Sequence, residues 1–242
     1  MEPLQVDGQL IEVAIRVHAR AKHYRLTINA GGNPVLTVPT NGRWVEAKNF
    51  LERQTGWLAA RLKRMPPGVP FVDGAVVPVR GTAHLVVAAE KIRGQVQIVP
   101  EQERPVLLVP GGPKHMARRL RDWLKSQAQD DLEVQVGVHA TNLGVRPSAI
   151  KMRGQSTRWG SCASSGQLNF NWRLILAPPF VLDYVAAHEV AHLVEMNHSR
   201  AFWTNVERTL PDMERGRSWL KANGRGLMAY GMDTRGADRG TQ

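Results

Sequence analysis

The stretch Phe180-Val181-Leu182-Asp183-Tyr184-Val185-Ala186-Ala187-His188-Glu189-Val190-Ala191-His192-Leu193-Val194-Glu195-Met196-Asn197-His198-Ser199 decides how the rest of the chain is read. From Phe180 to Met196 it is almost wholly apolar, the mark of a helix buried over most of its surface. His188 and His192 stand four residues apart, which on a helix puts both imidazoles on one face and within reach of a single metal ion. Burying two imidazoles and the Glu189 carboxylate without partners costs several kcal/mol, on the order of 2–7 per polar group, and a divalent cation is a natural partner. The bland alternative is a hydrogen-bonded histidine–glutamate cluster in the core.

A catalytic zinc takes three protein ligands and leaves one position open. His198 is the leading third ligand. It lies six residues past His192, about 240° round a continuous helix, so it joins the site only where the helix stops near Glu195 to Asn197. Asn197 is the expected stop, because asparagine tolerates the left-handed conformation that ends helices. Ser199 would then cap a following helix from Arg200 to Leu210. A carboxylate from that later region, Glu207 or Glu214, is the rival third ligand. Three imidazoles favour zinc among the common divalent ions. Glu189, next to the first ligand, is placed to act as general base. Arg158, Arg173 and Tyr184 are candidates to face a developing oxyanion. His18, His23, His84, His115 and His139 are scattered singly and read as surface or structural residues.

Upstream, extended runs at Leu10–Ile15, Tyr24–Ala30 and Val35–Val38, with Gly31, Gly32, Asn33 and Pro34 between the last two, signal a hairpin. A helical pattern follows from Val45 to Lys63, with Trp44, Phe50, Leu51, Trp57, Leu58 and Leu62 on its apolar side and Pro66-Pro67 ending it. Short β-prone segments recur at Val76–Val79, His84–Ala88, Val96–Val99 and Val106–Val109. A basic amphipathic helix is expected from Lys114 to about Val136, either half-buried or facing phosphates with Lys114, Arg118, Arg119, Arg121 and Lys125. Three strands follow, at Ala149–Arg153, Thr157–Cys162 and Leu168–Leu174. The last alternates Leu168, Phe170, Trp172 and Leu174 against Asn169, Asn171 and Arg173, so one face packs and the other meets something polar. The expected fold is α+β. A β-rich region over 1–112 precedes a catalytic region over 113–228, divided at Pro110-Gly111-Gly112-Pro113, and 229–242 reads as a disordered tail.

The 242 residues carry 32 lysines and arginines against 21 acidic residues, a net charge of +11 that favours polyanions, nucleotides or acidic surfaces without naming one. The single cysteine, Cys162, forbids an intramolecular disulfide and reads as a small packed residue. No secretory signal or spanning segment is evident, so a soluble, cytoplasmic protein is expected.

Taken in order, Arg158-Trp159-Gly160-Ser161-Cys162, Asn171-Trp172-Arg173-Leu174, Asp183-Tyr184-Val185, the His188–His192 pentad and Asn197-His198-Ser199 with Phe202-Trp203 resemble the YgjP-like family of zinc metallopeptidases. The resemblance runs from about Ala21 to Leu227 and extends more distantly to SprT-like and WLM-type metallopeptidases. It implies a zincin-like core with an HExxH helix, zinc on His188, His192 and His198, the base at Glu189, and the strands at 158–162 and 168–174 beside the cleft. The spacing also fits metzincins, but Glu195 stands where that pattern has glycine. Three activities follow. One is a metallopeptidase whose protein or peptide substrate adds as a strand to the sheet edge near Leu168–Leu174. Another is a metal-dependent nucleoside triphosphate pyrophosphatase. The third is a nucleic-acid-associated protein with a structural zinc, using the helix Lys114–Lys125.

Overall fold

In the computed structural model, residues 1–29, 32–65, 67–89, 93–100, 103–154 and 158–232 are described. They divide into two compact units, one of Met1–Gly68 with Met232 and one of Val69–Gly231.

The first unit begins with a strand that the hydrophobic pattern does not announce. Asp7 and Gly8 both take positive φ, 46° and 80°, the geometry of a two-residue hairpin turn that matches strand twist. They fold β1 (Glu2–Val6) back on β2 (Gln9–His18). The expected hairpin is present: β3 (Arg25–Ile28) pairs antiparallel with β4 (Pro34–Pro39), and the sheet order is β1-β2-β4-β3. Ala30 and Gly31 lie outside the described residues, as does Pro66. The single helix expected over 45–63 is two, α1 (Trp44–Arg53) and α2 (Thr55–Lys63), parted at Gln54 with φ −97° and ψ 4°. Leu51 and Leu58 reach the core of this unit, whereas Trp44 and Trp57 remain over 40% exposed, at 43% and 45%.

In the second unit β5 (Val76–Val79), β6 (Thr82–Ala88), β7 (Gln97–Val99) and β8 (Val106–Val109) form a sheet ordered β5-β6-β8-β7. Helix α3 runs from Pro113 to Leu143, seven residues past the expected end, until Gly144 takes the left-handed conformation that closes it. Its buried stripe at four-residue spacing serves two cores. Met116, Leu120, Leu124 and Ala128 join Val77, Val86, Leu107 and Val109, while Leu132, Val136, Ala140 and Leu143 join the helix carrying the histidine pair. The Pro110–Pro113 segment is therefore a strand-to-helix connection within one core, and the division of the chain lies at Gly68–Val69 instead. Three of the helix's arginines are tied within the chain: Arg118 to Asp122, Arg119 to the Gly94 carbonyl and Arg121 to the Gly231 carbonyl.

The third sheet is ordered β10-β11-β9, from β9 (Ala149–Arg153), β10 (Gly160–Cys162) and β11 (Gln167–Asn171). Thr157 lies outside the described residues. The strand expected over 168–174 ends at Asn171, whose side chain accepts the Arg173 N–H and caps a 3-10 helix over Trp172–Leu176. All five residues of that helix are buried, so the alternation of a strand does not continue through it. Asn171 and Arg173, expected on a polar face, are buried too, and Arg173 donates to the Tyr230 carbonyl. Because β11 is paired on both sides, it offers no edge to a substrate strand; β10 does.

The remaining elements are α4 (Pro179–Ala191), α5 (Arg200–Thr209) and α6 (Met213–Leu227). The start of the expected tail is held in place: Val69 exchanges backbone hydrogen bonds with the Ala229 carbonyl and the Gly231 N–H. Residues 233–242 lie outside those described. Among the described residues no helix is long and apolar enough to cross a membrane.

Candidate metal centre and active site

Helix α4 starts at Pro179, where a proline's missing N–H costs nothing, and is apolar nearly all round because neighbours cover it. Its regular hydrogen bonding ends one turn earlier than expected. His192 is the C-terminal cap, and the Leu193, Val194 and Glu195 N–H groups fold back onto the Val190 and Ala191 carbonyls. Asn197 is not left-handed, since among the described residues the non-glycine positions with positive φ are Asp7 and Arg80. Its side chain instead accepts the Ser199 N–H at 2.9 Å, an Asx turn that redirects the chain. Ser199 then caps α5 by accepting the Phe202 N–H at 3.3 Å, as expected.

This turn brings His198 to the histidine pair. The ring centroids of His188, His192 and His198 are 5.0, 5.0 and 4.8 Å apart, and one ligand nitrogen from each lies within 4.8 Å of the others. The Nε2 atoms of His188 and His198 are 3.1 Å apart. His192 Nδ1 donates to the Glu195 carbonyl at 3.1 Å, which leaves its Nε2 lone pair for a metal. Among the described residues this is the group of side chains close enough to share an ion. Glu207 is not part of it, and Glu214 pairs with Arg217.

The electrostatics suit a cation. Burial, reinforced by His192, His198 and Arg217, holds the His188 imidazole down at about 3, and burial lowers His192 as well, so both present neutral lone pairs. At the site, buried His188 Nδ1 and Glu189 Oε2 have no hydrogen-bond partner among the described residues. Such orphans are rare in folded proteins and call for an explanation. A divalent ion fits three converging imidazoles beside an unpaired carboxyl oxygen.

Glu189 faces Gly160 on β10. A Cβ at position 160 would stand 2.7 Å from the Glu189 carboxyl carbon, so the strand can pass this closely only with glycine there. Burial raises the Glu189 carboxyl to about 8, against a smaller opposing pull from Arg158. Of the three oxyanion candidates, Arg158 and Tyr184 both interact electrostatically with Glu189. The Tyr184 ring lies 6.0 Å from His188, and burial keeps the phenol protonated as an O–H donor. Arg173 belongs elsewhere: it stacks 4.5 Å over Trp172 and bonds Tyr230.

The sequence placed Phe202 and Trp203 in a motif without giving them a role at the site, and read His139 only as surface or structural. Phe202 packs against all three histidines at 4.9, 4.5 and 4.8 Å, and Trp203 lies 5.8 Å from both His188 and His198. Their place directly after Ser199, on the first turn of α5, was the available signal. Buried His139 holds Thr209 Oγ1 at 2.7 Å and Asp183 Oδ1 at 2.9 Å, joining α3, α4 and α5. His84 is buried with Nδ1 donating to the Thr82 carbonyl, and His18, His23 and His115 are exposed. Cys162 is half-buried in the sheet, its thiol pushed up by burial and by Glu189.

A family model described as "YgjP-like, metallopeptidase domain" matches residues 22–223. The chain belongs to the YgjP-like family. For a YgjP-like metallopeptidase domain a divalent metal, usually zinc, is implied, and the three-histidine group is compatible with one. Among solved structures, the chain is similar to the metallopeptidase zymogen of Pyrococcus abyssi abylysin. The identity is 21%, the match covers 40% of this chain and 94% of that one, and the TM-score is 0.35, so nothing further rests on it. No curated protein matches significantly.

Proposed function

We propose that this YgjP-like protein is a zinc-dependent peptidase with His188, His192 and His198 as metal ligands and Glu189 as general base. The observation that carries the reading is the convergence of three imidazoles beside a buried carboxylate whose Oε2 has no partner among the described residues. Bound there, zinc supplies Lewis acidity that polarises a carbonyl and eases ionisation of a water. Glu189 takes the proton of the attacking water on its carboxylate and passes it to the leaving amine. Tyr184, a neutral O–H donor beside His188, is assigned to the developing oxyanion. The edge strand β10, beside Glu189 through Gly160, is assigned to pair with an extended peptide.

The test is hydrolysis of casein and unfolded peptides by zinc-loaded wild type beside Glu189→Gln. Cleavage by the first and not the second supports the reading. Intact peptides together with pyrophosphate release from nucleoside triphosphates would replace it with a phosphohydrolase. Salt-sensitive nucleic-acid binding that persists in Glu189→Gln, without hydrolysis, would leave a structural zinc site.

A further inference from the structure

Arg217 lies on α6, an element that supplies none of the proposed ligands. Its guanidinium carbon is 4.7 Å from the centre of the Trp203 ring, and that ring is in turn 5.8 Å from both His188 and His198. The stack therefore holds a cation against the outer wall of the histidine cluster. The charge is felt inside: Arg217 acts on both His188 and Tyr184. Glu214 takes one guanidinium N–H at 3.2 Å and is itself held by the Ser218 hydroxyl at 2.9 Å. A guanidinium has five N–H donors in a planar fork, so this bond leaves the carboxylate-binding geometry of the group unfilled. The side chain is half exposed, at 50%. The exposed Arg158, which precedes β10, acts on Glu189. The two arginines come from different elements, and each acts electrostatically on a different member of the site.

We propose that Arg217, stacked on Trp203 beside the histidine cluster, selects peptide substrates carrying a carboxylate near the scissile bond, with Arg158 as a secondary cation. The inference rests on the peptidase reading and names its substrate class. A stacked arginine loses little freedom when it binds, and a charge-assisted hydrogen bond to a carboxylate discriminates against its amide by about tenfold or more. Partial exposure makes the preference fall as salt rises. Two sources of carboxylate satisfy the chemistry, an Asp or Glu side chain and a free peptide C-terminus.

The experiment compares matched peptides bearing Glu, Gln or Lys on either side of the cleaved bond, each with a free or amidated C-terminus. Zinc-loaded wild type is assayed beside Arg217→Gln, Arg217→Lys and Arg217→Glu. Wild type is expected to favour the carboxylate peptide about tenfold in kcat/KM, mainly through KM. Loss on amidation alone identifies the C-terminus; loss with Gln alone identifies the side chain. Arg217→Gln should bring the ratio near one and Arg217→Lys should retain part of it. Arg217→Glu should turn the preference toward lysine peptides, a reversal that damage to the fold cannot produce. Titration of the same peptides into zinc-loaded Glu189→Gln reads selection without turnover, so the two readings fail separately. Binding that prefers carboxylate without cleavage by wild type would keep the inference and overturn the peptidase reading. Cleavage or binding indifferent to the carboxylate, or a preference that survives Arg217→Glu, would overturn the inference.

Discussion

Helix α4 touches two sets of imidazoles, buried His139 and the cluster of His188, His192 and His198, that meet the same problem in opposite ways. His139 spends both ring nitrogens on protein partners, Thr209 and Asp183, and Asn142 adds a hydrogen bond to the same threonine. The Asp183 carboxylate can only accept, so Nε2 donates to it, and in that neutral tautomer the Thr209 hydroxyl, which also accepts from Asn142, donates to Nδ1. That histidine is satisfied, and its work is to fix α4 against α3 and α5. In the other group, His188 Nδ1 is without a partner among the described residues, and the rings of His188, His192 and His198 face one another. Unspent hydrogen-bonding capacity, more than burial, separates a site from a strut.

The comparison is tested most severely by Glu189→Gln, which keeps the shape of the unsatisfied group and removes its basicity. Peptide hydrolysis should fall by about 10²–10⁴-fold while zinc remains bound. Normal turnover by that variant would put the base elsewhere.

Within the site, acidity sets Glu189 against His188. Glu189, raised from 4.5 to about 8, binds its proton more tightly folded than unfolded, so the metal-free protein loses stability as pH rises from 4.5 to 8. His188, lowered from 6.5 to about 3, resists protonation when folded, so its stabilising contribution is full above 6.5 and fades as pH falls toward 3. The two trends oppose each other between 4.5 and 6.5, and Glu189 acts alone from 6.5 to 8. Denaturant titrations of metal-free protein should show Glu189→Gln gaining on wild type over that upper window, by on the order of a few kcal/mol. Parallel curves would contradict the burial assigned to Glu189.

On the satisfied side, His139→Ala leaves Asp183 and Thr209 without their shared partner and should cost about 2–4 kcal/mol of stability. Zinc stoichiometry should be unchanged when measured well below the lowered melting temperature. Loss of zinc with full stability would mean that His139 serves the metal. The smallest effect is expected from Ser199→Ala, which removes the cap of α5 at a cost of about 1 kcal/mol. Because Ser199 adjoins His198, the same variant should loosen zinc several-fold in competition with a chelator, whereas His139→Ala should not.

The histidine pentad and the cap at Ser199 were legible in the sequence because both are local: four-residue spacing on a helix and a serine before one. Most strands of the second unit were legible by composition. The end of α4 was not, because His192 caps it by bonding the Glu195 carbonyl, and Asn197 turns the chain through its side chain instead of its backbone. Nor was the end of β11, where Asn171 caps a 3-10 helix that local apolarity presents as more strand. Arg217 and Gly160 reach the centre only through the packing of α6 and β10 around α4, which no spacing encodes. The division at Gly68–Val69 was hidden because Pro110–Pro113 carries the stronger loop signal while both sides of it enter one core.

The central claim is that the three converging imidazoles hold a metal ion, and it is tested most directly by zinc stoichiometry of the purified, zinc-equilibrated protein beside His192→Ala and His139→Ala. The account expects one zinc per chain in wild type and His139→Ala and none in His192→Ala. Zinc absent from wild type, or retained equally by His192→Ala, would contradict it.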